Sequence, residues 1–292
     1  MNKFLRITLL SFSLTTLAAN ATDVPVWELE GTHNRFLLLG SIHFLRSSDY
    51  PLPLALDKAY AQADILLMEI DMDSADTLNA MAVIESLSKD PEGRTLKEQI
   101  GTARYQEVAV RAEMLGINTL LLNETEAWYA AIIVSQIRLM QMGFDPAWGI
   151  EAHYTAMALA DGKPIDGFET LADQLGVLDR MSVDTQGDFL LESLNDQASA
   201  EAEMQSIVTA WKSGESQALA KTMLDGIGDI PELYNELIVN RNINWATQIE
   251  QLDKSSRGKT YLVIVGAMHL VGPDSVQQQL KSRGISYRQL AD

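Results

Sequence analysis

The chain has no cysteine and only four histidines among its 292 residues. The missing thiols exclude disulfides, a lipidated N-terminal cysteine, thiolate metal ligands and cysteine nucleophiles. Basic residues are also scarce, 22 Lys and Arg against 40 Asp and Glu, for a formal net charge of −18. A surface of that sign repels phosphate backbones and anionic lipid, which argues against nucleic-acid and membrane-surface binding. It suits metal cations, basic peptides or plain solubility. Past the N-terminal stretch, no apolar run approaches the ~20 residues that a bilayer span needs. With 47% hydrophobic and 21% charged residues, the rest is an ordinary globular composition, long enough for a full core.

At the N-terminus, Lys3 and Arg6 precede the apolar stretch from Ile7 to Leu17, and Ala19-Asn20-Ala21 follows. A charged segment, an apolar segment and a small-residue A-x-A site in that order predict a cleavable signal peptide over residues 1–21. The expected mature protein starts near Thr22 and is periplasmic or secreted. Loss of Lys3 and Arg6 leaves 20 basic residues against 40 acidic ones, a net charge of −20.

One local pattern occurs twice. Phe36-Leu37-Leu38-Leu39-Gly40-Ser41-Ile42-His43 and Leu262-Val263-Ile264-Val265-Gly266-Ala267-Met268-His269 are each an apolar run of strand length followed by Gly-x-x-His. A glycine there permits a sharp turn or a close backbone approach, and the histidine projects past the strand's C-terminal end, where open α/β sheets bind ligands. Each motif leads through a loop and a helix into another strand, Ile65 to Ile70 in the first case and Ile285 to Leu290 in the second. The expected fold is therefore α/β, a central mixed sheet of two duplicated strand–GxxH–loop–helix–strand halves in a single domain over residues 22–292. Between the halves, about residues 74–252, apolar residues recur at helical spacing and predict a large helical insertion. Examples are Leu78, Met81, Ile84 and Leu87, then Tyr105, Val108, Ala109, Ala112 and Leu115. Pro231 opens a helix running to about Leu252.

Five residues stand out for chemistry. His43 and His269 suit metal ligation or acid–base work. Glu69 ends the apolar run Ile65 to Met68, where a buried carboxylate needs a cation, a metal or a donor beside it. Asp71 and Asp73 follow it as an acidic tip. Glu169 closes the short strand-like run from Pro164, just before a helix whose dipole it also suits. On the helix from Pro231, the face Tyr234, Ile238, Arg241, Trp245, Ile249 and Leu252 is apolar except for Arg241. A guanidinium in that stripe calls for an anionic partner, either Glu69 or Glu169 or a substrate oxyanion. His33 falls in a turn, His153 shares a packing face with Ile150 and Met157, and Glu151 is a supporting residue at most.

Taken in order, the motifs resemble the TraB/GumN family, related to PrgY and to the animal Tiki proteins. They are Gly40-Ser41-Ile42-His43, Met68-Glu69-Ile70-Asp71, Gly149-Ile150-Glu151, Phe168-Glu169-Thr170 with Gln174-Leu175, Arg241-Asn242 with Trp245, and Gly266-Ala267-Met268-His269. The resemblance spans nearly the whole mature chain and implies a fold related to erythromycin esterase and to haem-binding lipoproteins. It implies a metal-dependent hydrolase centre, peptidase-like in the Tiki branch, carried over here to His43, Glu69, Glu169, Arg241 and His269. This chain has Glu151 where the family more often has Asp, and Phe168 where Leu is usual.

On that basis His43, Glu69 and His269 are expected to hold one Mn²⁺, Co²⁺ or Zn²⁺ ion that lowers the pKa of a bound water. Glu169 is expected as a further ligand or as the base, and Arg241 as the oxyanion partner. A metal-free variant, with one histidine as general base, accords with the esterase kinship. The competing expectation is a binding protein without turnover that sequesters a peptide signal or haem.

Overall fold

In the computed structural model, which describes residues 23–71, 77–224, 227–255 and 257–291, the apolar runs form the middle of one sheet. Its strands are β1 (Asp23–Glu30), β2 (Arg35–Ser41), β3 (Ile65–Ile70), β4 (Ile165–Glu169), β5 (Thr260–Gly266) and β6 (Ser286–Ala291). They lie in the order β4-β3-β5-β2-β1-β6. β3 runs parallel to β4 and β5, and β5 parallel to β2, while β1 is antiparallel to both β2 and β6. The sheet is mixed, with β1 alone reversed. Leu37, Leu38 and Leu39 of β2 are all fully buried, because a central parallel strand is covered on both faces. Each such side chain contributes roughly 1.5–3 kcal/mol. The signal peptide expected over residues 1–21, and Asp73, lie outside the described residues.

The helices are α1 (Leu54–Gln62), α2 (Thr77–Leu87), α3 (Leu96–Ile100), α4 (Thr102–Met114), α5 (Ala127–Gln141), α6 (Ile150–Asp161) and α7 (Leu171–Asp179). They continue with α8 (Val183–Ser193), α9 (Gln197–Lys212), α10 (Ser216–Leu224), α11 (Pro231–Tyr234), α12 (Arg241–Ser255) and α13 (Val276–Lys281). Leu37, Leu39, Leu262 and Ile264 pack on one side of the sheet against α1, α6 and α9, and Leu38, Val263 and Val265 on the other against α12 and α13. Among the described residues no helix is long and apolar enough to cross a membrane.

The connections place the functional end of the sheet. From β2 the chain crosses through α1 to β3, stepping over β5; from β5 it crosses through α13 to β6 in the opposite direction, stepping over β2 and β1. Right-handed crossovers in opposite directions put their helices on opposite faces, and α1 and α13 lie so. The switch point therefore falls between the C-terminal ends of β2 and β5, the ends that carry the two Gly-x-x-His motifs. The two units share their element order but not their reach, since one steps over one strand and the other over two.

Two local expectations need correcting. The helix from Pro231 is not uniform: a π-helical turn, Asn235–Asn240, separates α11 from α12 immediately before Arg241. A π turn inserts an extra residue into the helical register and recurs at functional sites. Ile238, Arg241, Trp245 and Ile249 remain buried together beyond the break. On α2, Leu78 and Met81 point outward and stay exposed, so its apolar spacing does not mark a core stripe there.

Candidate functional site

Parallel pairing sets β2 and β5 level, with Gly40 opposite Val265 and Ser41 opposite Gly266. His43 and His269 consequently leave the sheet side by side. Gly266 has an ordinary extended backbone, φ −48° and ψ 134°, so its glycine serves space, not torsion. A Cβ there would lie 3.2 Å from Glu69 Oε1, 3.5 Å from His43 Nε2 and 3.6 Å from His269 Cδ2. That one point locates the convergence of three side chains from three strand ends.

Glu69, near the end of β3, is buried and saturated with donors. Its Oε1 accepts the Gly266 N–H at 2.7 Å; its Oε2 accepts Arg241 Nη2 at 2.6 Å and Gln174 Nε2 at 3.0 Å. Burial pushes its pKa up, but His269, Arg241, His43 and the Gly266 N–H together hold it down at about 2. Arg241 also donates through Nε to Glu169 Oε1 and Oε2 at 3.2 and 3.0 Å, with Nη2 2.9 Å from Oε2. Trp245 Nε1 donates to Glu169 Oε1 at 2.8 Å. Glu169 thus lies behind the guanidinium with both oxygens engaged, and Arg241 bridges two carboxylates. The Trp245 ring, with the Arg241 guanidinium carbon 4.6 Å from its centroid and the His269 ring 4.5 Å away, supports both.

The two histidines occupy opposite environments. His269 is buried, and its Nδ1 is 2.7 Å from Asn242 Oδ1. The Asn242 amide nitrogen donates to the carbonyls of Asp274, at 2.8 Å, and His269, at 3.4 Å, so its oxygen is the atom turned to the ring. Nδ1 must then carry the proton, leaving the Nε2 lone pair to face Arg241 Nη1 at 3.3 Å. Burial first, then repulsion from Arg241 and His43, depress its pKa to about 3 against the pull of Glu69. At neutral pH His269 is an uncharged acceptor.

His43 is open to solvent at the floor of the cleft, with a side chain 55% exposed. Its Nδ1 lies 3.0 Å from Glu151 Oε1, which also accepts the Ser41 hydroxyl. Attraction to Glu151 outweighs burial and raises the His43 pKa to about 9. Glu151 reaches this position because α6 starts against the His43 loop: Ile150 N–H donates to Ile42 O at 3.1 Å. A Cβ on Gly149 would sit 2.2 Å from His43 O.

These groups line a cavity of about 390 Å³. Ser41, His43, Glu69, Gln174, Arg241 and His269 form its polar floor, and the helical segment roofs it with apolar side chains. Another cavity, of about 440 Å³, lies beyond Glu169, between the end of β4 and helices α2 and α7, and neither imidazole lines it. His33 bonds Asp253 in the β1–β2 turn, and His153 packs edge-on against Tyr50 and Tyr154.

The geometry joins His43, Glu69, Glu169, Arg241 and His269 into one connected cluster. Gln174, Asn242 and Ser41 complete it. All three stood within quoted motifs without a role, and no local pattern distinguishes the two amides or the hydroxyl from solvated ones. A divalent ion fits this arrangement poorly. Both Nδ1 atoms are tied down, as in ligating histidines, but the Nε2 of His269 faces a guanidinium. Both Glu69 oxygens are also taken by donors. Among the described residues, no three His, Asp or Glu side chains form a ligand set.

The fold and site define a class: a three-layer α/β protein with a histidine–carboxylate–arginine cluster at the switch point of its sheet. A sequence model of the TraB/PrgY/gumN family matches residues 25–289, and the chain belongs to that family. It is similar to the uncharacterized protein YbaP of Escherichia coli (strain K12), 25% identical over 91% of this chain and 95% of the relative. The uncharacterized YbaP of Shigella flexneri is 24% identical over 84% and 87%. No solved structure matches.

Proposed function

We propose that this protein is a hydrolase of acyl bonds, acting on peptides, in which His43 handles the proton of the attacking water. The observation that carries this reading is the meeting of His43 Nε2, Glu69 Oε1 and the His269 ring within 3.6 Å of one point on a cavity floor. Of the two imidazoles, only His43 combines an accessible Nε2 with a carboxylate on Nδ1, the arrangement of a histidine general base. The unprotonated form of His43, a minority at neutral pH that grows as pH rises toward about 9, takes a proton from water as the water oxygen bonds to the carbonyl carbon, and Glu151 stabilises the resulting imidazolium. Arg241, fixed by Glu69 and Glu169, places positive charge beside the developing oxyanion. The imidazolium then returns the proton to the amine nitrogen as the C–N bond breaks, releasing a carboxylic acid and an amine. Neutral His269 orients Arg241 through Nε2. Glu169 positions Arg241, a role different from base or ligand. No step here runs through the metal ion expected from the sequence, because a guanidinium faces the position it would need.

The leader expected over residues 1–21 would deliver this hydrolase to the periplasm or the exterior, which N-terminal sequencing of the exported protein tests. For activity, a peptide mixture is incubated with purified protein, with and without EDTA, and products are identified by mass spectrometry. Cleavage that survives EDTA and disappears in His43→Ala is the expected result. Cleavage abolished by EDTA and restored by Mn²⁺ or Co²⁺ would reject the metal-free step, and binding without cleavage would select the sequestering protein.

A further inference from the structure

His43 and Phe44 border two cavities. On the Nε2 side lies the cavity of about 390 Å³, walled by Phe44, Leu139, Met204, Ile207, Met223 and Ile238 from α5, α9, α10 and the π turn. On the Glu151 side a second one, of about 630 Å³, runs between α5 and α6, lined by Gln136, Met140, Pro146, Ala152, Ala156 and Leu159. Met140 and Leu159 are 63% and 53% exposed, large apolar side chains left open along the second cavity. Each volume alone is within the range of small-molecule sites, and the His43–Phe44 ridge is their common wall.

We infer that the two cavities are the two arms of one cleft, which receives an extended, apolar, non-acidic peptide segment laid across His43. Cleavage then falls inside the chain and not at a terminus. The inference rests on the hydrolase reading for the cut itself, but not for the binding. Apolar walls on both sides favour uncharged side chains on both sides of the reacting bond, and the methionines adapt to side chains of differing shape. Charge points the same way. Glu69 and Glu151 line the arms and Glu169 backs Arg241, the one guanidinium among the described lining residues, so an acidic segment is repelled. Arg241 is already shared by two carboxylates, and among the described residues no other Lys or Arg lines either arm. A terminal carboxylate therefore finds no seat, unlike in a carboxypeptidase, and the open second arm accommodates chain on the far side of the bond.

Cleavage sites are mapped by mass spectrometry on a proteome-derived peptide library, using the wild-type protein. In parallel, anisotropy measures binding of fluorescent ten-residue peptides with apolar or acidic centres to His43→Ala. Interior cleavage sites enriched in apolar residues and depleted of acidic ones are expected. Ala156→Trp, at an exposed position of α6, should weaken binding of long apolar peptides by at least about tenfold, and Met204→Glu should do the same from inside the first arm. Ala156→Trp changes no core contact, so it reports even where Met204→Glu fails to fold. Cleavage confined to chain ends or lacking apolar bias, or unaltered binding in Ala156→Trp, overturns the cleft and leaves the hydrolase standing. Selective apolar binding with no cleavage by the wild type overturns the hydrolase and leaves the cleft. Neither binding nor cleavage removes both.

Discussion

Replacing Gly149 by alanine is a one-methyl test of how His43 is held. The backbone at Gly149, φ −63° and ψ 155°, suits any residue, so the substitution carries no torsional penalty. The penalty is spatial. The new Cβ would lie 2.2 Å from His43 O, 2.8 Å from His43 C and 3.0 Å from Pro146 O, all backbone atoms without a rotamer to yield. The start of α6 must therefore retreat from the His43 loop by about an ångström, straining the Ile150–Ile42 hydrogen bond and drawing Glu151 from the imidazole. Overpacking together with one weakened hydrogen bond costs about 2–4 kcal/mol, a fall in Tm on the order of 5–15 °C. Gly162→Ala is the matched control. Gly162 caps the other end of α6 at φ +67° with no atom within 4 Å of its absent Cβ, so alanine meets only left-handed strain, roughly 1–2 kcal/mol. Urea denaturation gives the stabilities, and NMR titration of the His43 ring reports the contact with Glu151. Gly149→Ala should lose more stability than Gly162→Ala and alone should bring the His43 pKa down from about 9. Equal stabilities, or an unmoved His43, would refute the reasoning.

Three further perturbations test the electrostatics. Glu151→Gln removes the main cause of the raised His43 pKa, so the ring should titrate back toward 6.5. The stability that this pair contributes is complete below 6.5 and lost as pH rises through about 9, and the variant should lack that decline in denaturant titrations at stepped pH. Arg241→Met strands Glu69 and Glu169 without their cation and should cost about 3–5 kcal/mol at pH 7. The deficit should shrink toward pH 4 as Glu69, no longer held low by its cation, takes up a proton, and a deficit independent of pH would assign Arg241 a packing role only. Glu126, buried at the start of α5, has a pKa raised from 4.5 to about 7 by burial and by Asp179. The folded state there holds its proton longer than the unfolded chain, so wild-type stability should fall between pH 4.5 and 7. Glu126→Gln should match the wild type near pH 4.5 and exceed it above pH 7; a variant weaker at pH 8 would count against repulsion between Glu126 and Asp179.

Much of the scaffold was legible because its signals are local. The runs Phe36 to Leu39, Ile65 to Ile70 and Thr260 to Val265 read as strands, since central parallel strands are apolar on both faces. Pro231 marked a helix start through its own fixed torsion. Arg241 was conspicuous as the single cation in an apolar stripe. What stayed hidden depends on contacts between distant segments. Nothing near Gln174 or Asn242 says that their amides meet Glu69 and His269. Glu151 reads as a supporting residue at most, because its partnership with His43 depends on α6 docking against residue 43. The reversal of crossover direction between β2 and β5 is a property of strand order, which periodicity does not encode. The π turn was missed because its extra residue leaves the apolar spacing of Ile238, Arg241 and Trp245 intact.

The pairing of β2 with β5 also constrains when the centre comes into being. β5 lies between β2 and β3, so the N-terminal strands have no finished sheet to join until residues 260–266 have emerged. Ring closure over so long a stretch of chain makes assembly slow compared with local helix formation. A chain truncated ahead of that strand lacks His269 and the Gly266 N–H that holds Glu69, so the cluster cannot assemble. Connectivity alone thus makes the penultimate strand the piece that completes the centre.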